Sequence, residues 1–338
     1  MPRLSDAQIA DYLRLHPLPN LGAPLTIRPL EADSGMARFQ VSGAQGACVL
    51  TCYEPSEVET ARREVAGLTL GGLLGIAPTL LQNDEAGGAL GGPVVVVAEP
   101  EGTALGHRRL STEDAHDWLF LLLTLHHLPA ASTTIAWAGS ADAESWWQRA
   151  QPAWKACLAD YAGSQYQSLR DALSQLHAIV GVHVEVNRGL WQDLPRRPCH
   201  GNPVPAHVIR MSAGMQLIEW SGFGLGDPAM EVGRAAALAA LSGELSAGQY
   251  VQFIADYLAG MRDTGDATLE ERVRVFASIL PLGFAFTVLH HLAQLSPNSR
   301  DYAPTVEQVA RALVWIQDTL GVEVGKAEDL LAPLRVPA

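Results

Sequence analysis

His200, Asn202, His207, Glu219 and Asp227 all fall in one stretch, CHGNPVPAHVIRMSAGMQLIEWSGFGLGDPA, which opens at Cys199. Imidazole and carboxylate groups are ligand types of zinc and manganese, so His200, His207 and Glu219 form one candidate metal site. Cys199 beside His200 invites a second reading, a thiol nucleophile with its base. Both have plainer counterparts: a histidine hydrogen-bonded in the core, and a cysteine that is a small buried residue at the mouth of a loop. Asn202 differs in kind, because an amide forms hydrogen bonds but cannot take up a proton.

The elements that must position these groups follow from patterning. The stretch reads as a loop on His200-Gly201-Asn202, a strand starting at Val208, a turn at Ser212-Ala213-Gly214, a second strand over Gln216–Trp220, and a glycine-rich loop ending at Asp227. Upstream, residues 5–15 have helical spacing behind a serine cap. TIRPL, MARFQVSG and ACVLTCY read as three antiparallel strands, with Asp33-Ser34-Gly35 as the first turn. A helix starts at Pro55-Ser56-Glu57 and buries Val58, Ala61, Val65 and Leu68. TLLQND and the apolar PVVVVA run are further strands, and Glu99-Pro100-Glu101-Gly102 crosses into a second domain. The expected boundaries are therefore 1–99, a small sheet with one helix, and 100–338, a helical domain. In the latter, AHDWLFLLLTLHHLP is apolar nearly all round, as in a core helix. Helical periodicity recurs over 141–160, 165–180, 228–241, 245–262, 268–295 and 304–320. Trp146, Trp147 and Trp154 either pack a core or offer ring faces to a cation. In His126-His127 and His290-His291, one member of each pair is expected in the core and the other in solvent.

A chain of 338 residues, 48% hydrophobic, has enough apolar surface for a core in each of two domains. Its net charge of −13 argues against nucleic acid, which is bound by clustered lysine and arginine. The opening residues lack the pattern of a signal peptide, and runs such as VVVVA and LFLLLTL are too short to span a bilayer, so a cytoplasmic protein without membrane partners is expected. Cys48, Cys52, Cys157 and Cys199 lack metal-site spacing and suit reduced thiols.

The order HGN, hairpin, IEW, GDPA resembles the active-site segment of the aminoglycoside phosphotransferase and choline kinase family, and RREVAGL, VVVVAEPEGTAL and LLTLHHLP follow family order upstream. The resemblance implies an α+β, bilobal protein-kinase-like fold: a small antiparallel-sheet N-terminal lobe and a larger, mostly helical C-terminal lobe carrying the catalytic-loop hairpin. It also implies ATP or GTP with magnesium as cofactor. Set on the family pattern, several groups differ. The phosphate-binding lysine becomes Thr51, and the only lysines are Lys155 and Lys326, so Arg38, Arg62 or Arg63 is left to supply charge. Glu64, where the lysine's partner glutamate belongs, is expected unpaired at the nucleotide site or else exposed on its helix. Glu99 joins Thr51 and Glu64 as a nucleotide-contacting position. The catalytic aspartate becomes Asn202, the metal-binding asparagine becomes His207, and the metal-binding aspartate becomes Glu219. His200 and Asp227 are retained, chiefly as braces, with His200 grouped with Asn202 as a catalytic position and Asp227 also a metal candidate beside His207 and Glu219.

Four departures at chemical positions lead to the expectation of a catalytically impaired, pseudokinase-like protein that binds a small molecule or a protein partner in the interlobe cleft. An active phosphotransferase with an atypical site is one alternative. A scaffolding protein whose cleft is filled by its own side chains is another.

Overall fold

In the computed structural model, the described residues are 4–18, 21–31, 35–137, 139 and 142–335. Asp33 and Ser34 of the expected first turn lie outside them. By compactness the chain divides into two units, one of Met1–Gly106, Phe120–Gly139 and Arg197–Leu225, the other of His107–Leu119, Ser140–Arg196 and Gly226–Ala338.

The first unit begins with helix α1 (Asp6–Leu15), whose start is set by a capping box between Ser5 and Gln8. Strands β1 (Thr26–Leu30), β2 (Met36–Gly43), β3 (Gly46–Tyr53), β4 (Leu80–Asp84) and β5 (Val94–Ala98) form one antiparallel sheet in the order β1-β2-β3-β5-β4. Alternation sorts side chains onto its two faces. Phe39, Val41, Cys48, Leu50, Cys52, Val94 and Val96 pack into one cluster with Ile9, Tyr12 and Leu13 of α1. This is the helix expected over residues 5–15, and with the one that follows Pro55 two helices accompany the sheet where the domain reading counted one. An amphipathic N-terminal helix gains more by covering an apolar sheet face than by standing alone in water.

The opposite face carries Arg38, Gln40, Val49, Thr51 and Tyr53. A turn at Pro55–Glu57 leads into the second helix, α2 (Val58–Leu73). Gly67 and Gly71 let this helix approach Trp220, since a Cβ at Gly67 would lie 2.7 Å from the Trp220 ring and one at Gly71 2.8 Å. In Gly67→Ala, overpacking should outweigh the roughly 1 kcal/mol that alanine gains in helix propensity, for a net loss of about 1–2 kcal/mol in urea unfolding. An increase in stability would mean that α2 can move aside without cost.

Also in the first unit, β6 (Thr103–Ala104) pairs with β8 (Val208–Met211), which pairs with β9 (Gly214–Leu217), while β7 (Arg197–Cys199) pairs with β10 (Gly224–Gly226). The expected second strand of the hairpin ends at Leu217 instead of Trp220. Glu219 adopts left-handed backbone angles (φ 67°), which strand pairing does not accommodate.

Helix α3 (Thr112–His126) starts in the second unit and ends in the first; Phe120 is 63% exposed, so the helix is not apolar-buried all round. His126 is buried and His127 exposed, as expected. The second unit contains α4 (Ala143–Asp160), α5 (Gln167–Val186), α6 (Pro228–Leu241), α7 (Ala247–Gly260), α8 (Leu269–Gln294) and α9 (Tyr302–Leu320). Helix α8 is long and apolar enough to cross a membrane, yet 67% of that stretch is buried, and it packs on α4, α5, α6 and α9. Its apolarity serves a core. Trp147 and Trp154 both pack against His177, at ring separations of 4.5 and 4.6 Å, and Trp154 meets Phe286. The tryptophan cluster is core packing.

Candidate functional site

Strand β7 delivers the HGN loop. Buried Cys199 ends the strand, and a buried thiol does not reach a substrate. His200 is fully buried, edge-on to Trp220 at 4.5 Å. Its Nε2 donates to the Ile218 carbonyl at 2.9 Å and its Nδ1 accepts the Asn202 N–H at 3.3 Å. With both ring nitrogens engaged, His200 cannot ligate a metal, and the three-ligand site with His207 and Glu219 is not formed. Gly201 holds φ at 99°, and a Cβ there would lie 2.5 Å from the Gly222 carbonyl oxygen. Glycine is required at this turn.

His207 donates from Nδ1 to the Asn202 carbonyl at 2.8 Å, and its own carbonyl accepts the Ile218 N–H at 2.9 Å. Both histidines thus tie the loop to the hairpin. The hairpin in turn presents Glu219. Left-handed backbone in a non-glycine residue costs of the order of 1–3 kcal/mol and persists only where its surroundings enforce it. Here Trp220, fully buried and bonded through its indole N–H to the Leu217 carbonyl at 2.7 Å, holds the chain in that turn.

Arg38 bonds Glu219 in an ion pair whose side chains are 18% and 25% exposed. The register explains how an arginine of β2 arrives there. Arg38 is the cross-strand partner of Thr51, so the two side chains share a face of the sheet. Arg62, the second candidate cation, is spent on Glu59 and Glu85 in solvent. Arg63 donates to the Ser221 carbonyl and to Thr60. Both are engaged by these other partners.

Glu64 is neither unpaired nor exposed. It is buried and accepts a hydrogen bond from the Tyr53 hydroxyl. Burial pushes its carboxyl up to about 7, against the opposing influence of Tyr53 and Arg38. Gln40, two residues from Arg38 on the same face, donates to Glu99 at 2.5 Å. Pro100, next along the crossing segment, has no backbone N–H to offer a ligand.

The sequence model of the phosphotransferase enzyme family matches residues 26–271. The chain belongs to this family. Among solved structures, a candidate aminoglycoside phosphotransferase from Ralstonia eutropha is similar at a TM-score of 0.62 and 11% identity, over 97% of this chain and 99% of that one. A choline/ethanolamine kinase family protein from Mesorhizobium loti is similar at 0.53 and 16% identity, over 97% and 99%. A spectinomycin phosphotransferase, solved with ADP and spectinomycin, is similar at 0.53 and 11%, over 99% and 100%. Likeness at such identities establishes the kinase-like fold. No curated protein sequence matches significantly.

On this phosphotransferase scaffold, Thr51, Arg38, Glu64, Glu99, Asn202, His200, His207 and Glu219 all belong to the first unit. Magnesium requires a near-octahedral oxygen shell. The residues here do not fit it: Glu219 is paired with a guanidinium, and His207 offers imidazole nitrogens, of which Nδ1 is engaged by the Asn202 carbonyl. Asp227, proposed as a third ligand, belongs to the second unit, where its carboxylate is already engaged. It accepts from the Ala229 N–H at 2.9 Å, capping α6, and from the Trp191 indole at 3.0 Å, and it pairs with Arg272. Burial raises its pKa, and Arg272 opposes that shift. Both carboxylate oxygens of Asp227 are thus engaged at the start of α6. Tyr53 and Gln40 escaped the sequence reading; their alternation with Thr51 and Arg38 along β3 and β2 is the signal that places them on the same face.

Proposed function

We propose that this member of the phosphotransferase family has lost efficient phosphoryl transfer and uses its site to bind a small molecule or a protein partner. The observation that carries this reading is the Arg38–Glu219 pair, which neutralises the carboxylate left at the metal position. Asn202 adds to it, since loss of a general base typically costs ~10² to 10⁴ in rate.

The test is transfer from ATP or GTP, with magnesium or manganese, to a panel of hydroxyl acceptors, for the natural protein and for Asn202→Asp. Little or no transfer by either protein is expected, because restoring the base leaves the metal position closed. Turnover of about 1 s⁻¹ or more by the natural protein would refute the reading. A second reading, an active enzyme with an atypical site, draws on Arg38 as a cation beside Thr51. It is distinguished by a gain of ~10² or more in Asn202→Asp.

A further inference from the structure

The mismatch with magnesium has a positive counterpart. We infer that Arg38 is the resident cation of this site, held on Glu219 where the fold would place a metal ion, and that the site takes phosphate-bearing anions without any divalent cation. This inference rests on the family membership and deepens the proposed function by naming the class of ligand.

Arg38 lies opposite Thr51, so the sheet face that lost its lysine has regained a cation from the neighbouring strand. The guanidinium is four-fifths shielded, where a charge interacts more strongly than at the surface, and its fork matches a phosphate as well as a carboxylate. Its partner Glu219 is monodentate through Oε1, the contact being made by Nη1 alone. A phosphate oxygen can therefore exchange with the carboxylate, or bond the remaining N–H groups. Glu219 acts as the counter-ion that such an anion must displace. With Arg38 holding Glu219, a metal ion finds no open carboxylate here, and magnesium only sequesters the free anion in solution.

Gln40 and Glu99 satisfy each other on the same face, and Pro100 offers no N–H. The ligand is thus read by its phosphates.

Isothermal titration of the full chain with inorganic tripolyphosphate, ATP and GTP, in EDTA and then with excess magnesium, tests this. The three anions are expected to bind in EDTA with affinities within about threefold of one another, and magnesium should weaken each. Arg38→Gln should lose about tenfold or more, an effect typical of one charge-assisted contact. Glu219→Gln should tighten binding about tenfold by freeing Arg38 and removing a like charge. A metal ligand at position 219 would give the opposite sign. Because Arg38→Gln leaves a half-buried carboxylate, the double variant Arg38→Gln/Glu219→Gln, which leaves neither charge, is measured beside it and must also lose binding. Absence of saturable binding in EDTA, strengthening by magnesium, or weaker binding by Glu219→Gln would each overturn the inference. Those outcomes concern affinity alone; the loss of phosphoryl transfer is judged from turnover, so either conclusion can fail without the other.

Discussion

Replacing Arg272 by methionine is expected to destabilise the protein by about 3–5 kcal/mol, because it strips the partner from a buried carboxylate. Arg272 and Asp227 are both fully buried. The guanidinium donates to Asp227 at 3.1 and 3.2 Å, and to Asp266 at 2.7 and 3.0 Å. Asp227 in turn caps α6, so the loss reaches the loop that leads out of the hairpin segment. An exposed pair sets the scale: Arg14 and Asp11 are 73% and 67% exposed, and Arg14→Ala should cost at most about 1 kcal/mol. Urea unfolding of the two variants at neutral pH makes the comparison. If Arg272→Met and Arg14→Ala unfold at similar urea concentrations, the buried cluster is not what holds this region.

The second large effect concerns pH. Burial raises the Glu64 carboxyl from 4.5 to about 7, with Glu219 adding to the rise and Tyr53 and Arg38 opposing it. The folded state then binds this proton more tightly than the unfolded chain does. Its contribution to stability is complete below about pH 4.5 and is lost as pH rises through about 7. At about 1.4 kcal/mol per pH unit, the loss across that window is about 3 kcal/mol. Glu64→Gln keeps an acceptor for the Tyr53 hydroxyl but cannot ionise. It should stabilise the protein at pH 8 by a comparable amount and flatten stability between pH 4.5 and 8. Parallel pH profiles for the two proteins would show that Glu64 ionises in the folded state without penalty.

This behaviour separates Glu64 from the role its position suggests. A glutamate that pairs with lysine is held charged; here Thr51 offers no cation, and the carboxyl retreats onto a phenol. The absence of a cation at 51 is visible in the sequence, but the state of Glu64 requires knowing that Tyr53 lies on the same face of β3 and within reach of α2. Arg38 illustrates the same limit. It was one of three arginines able to supply charge, and only the pairing of β2 with β3 selects it.

The features legible along the chain are local or ordinal. Periodicity of apolar residues places α6 at 228–241 and β1 and β2 at their observed bounds. The order of the HGN, IEW and GDPA segments points to the family that the family model shows, and the residue types at 51, 202, 207 and 219 raise the expectation of altered chemistry. These follow from spacing along the chain, which neighbouring side chains and backbone geometry enforce within a few residues. The tertiary structure alone decided the pairings: Arg38 with Glu219, Glu64 with Tyr53, Asp227 with Arg272, and α1 over the outer face of the sheet. Each joins residues brought together by strand register or helix packing, and each is settled by competition among several partners of similar chemistry. A hydrogen bond or ion pair gains most where water is excluded, and burial is a property of the folded chain, not of a residue's position in the sequence.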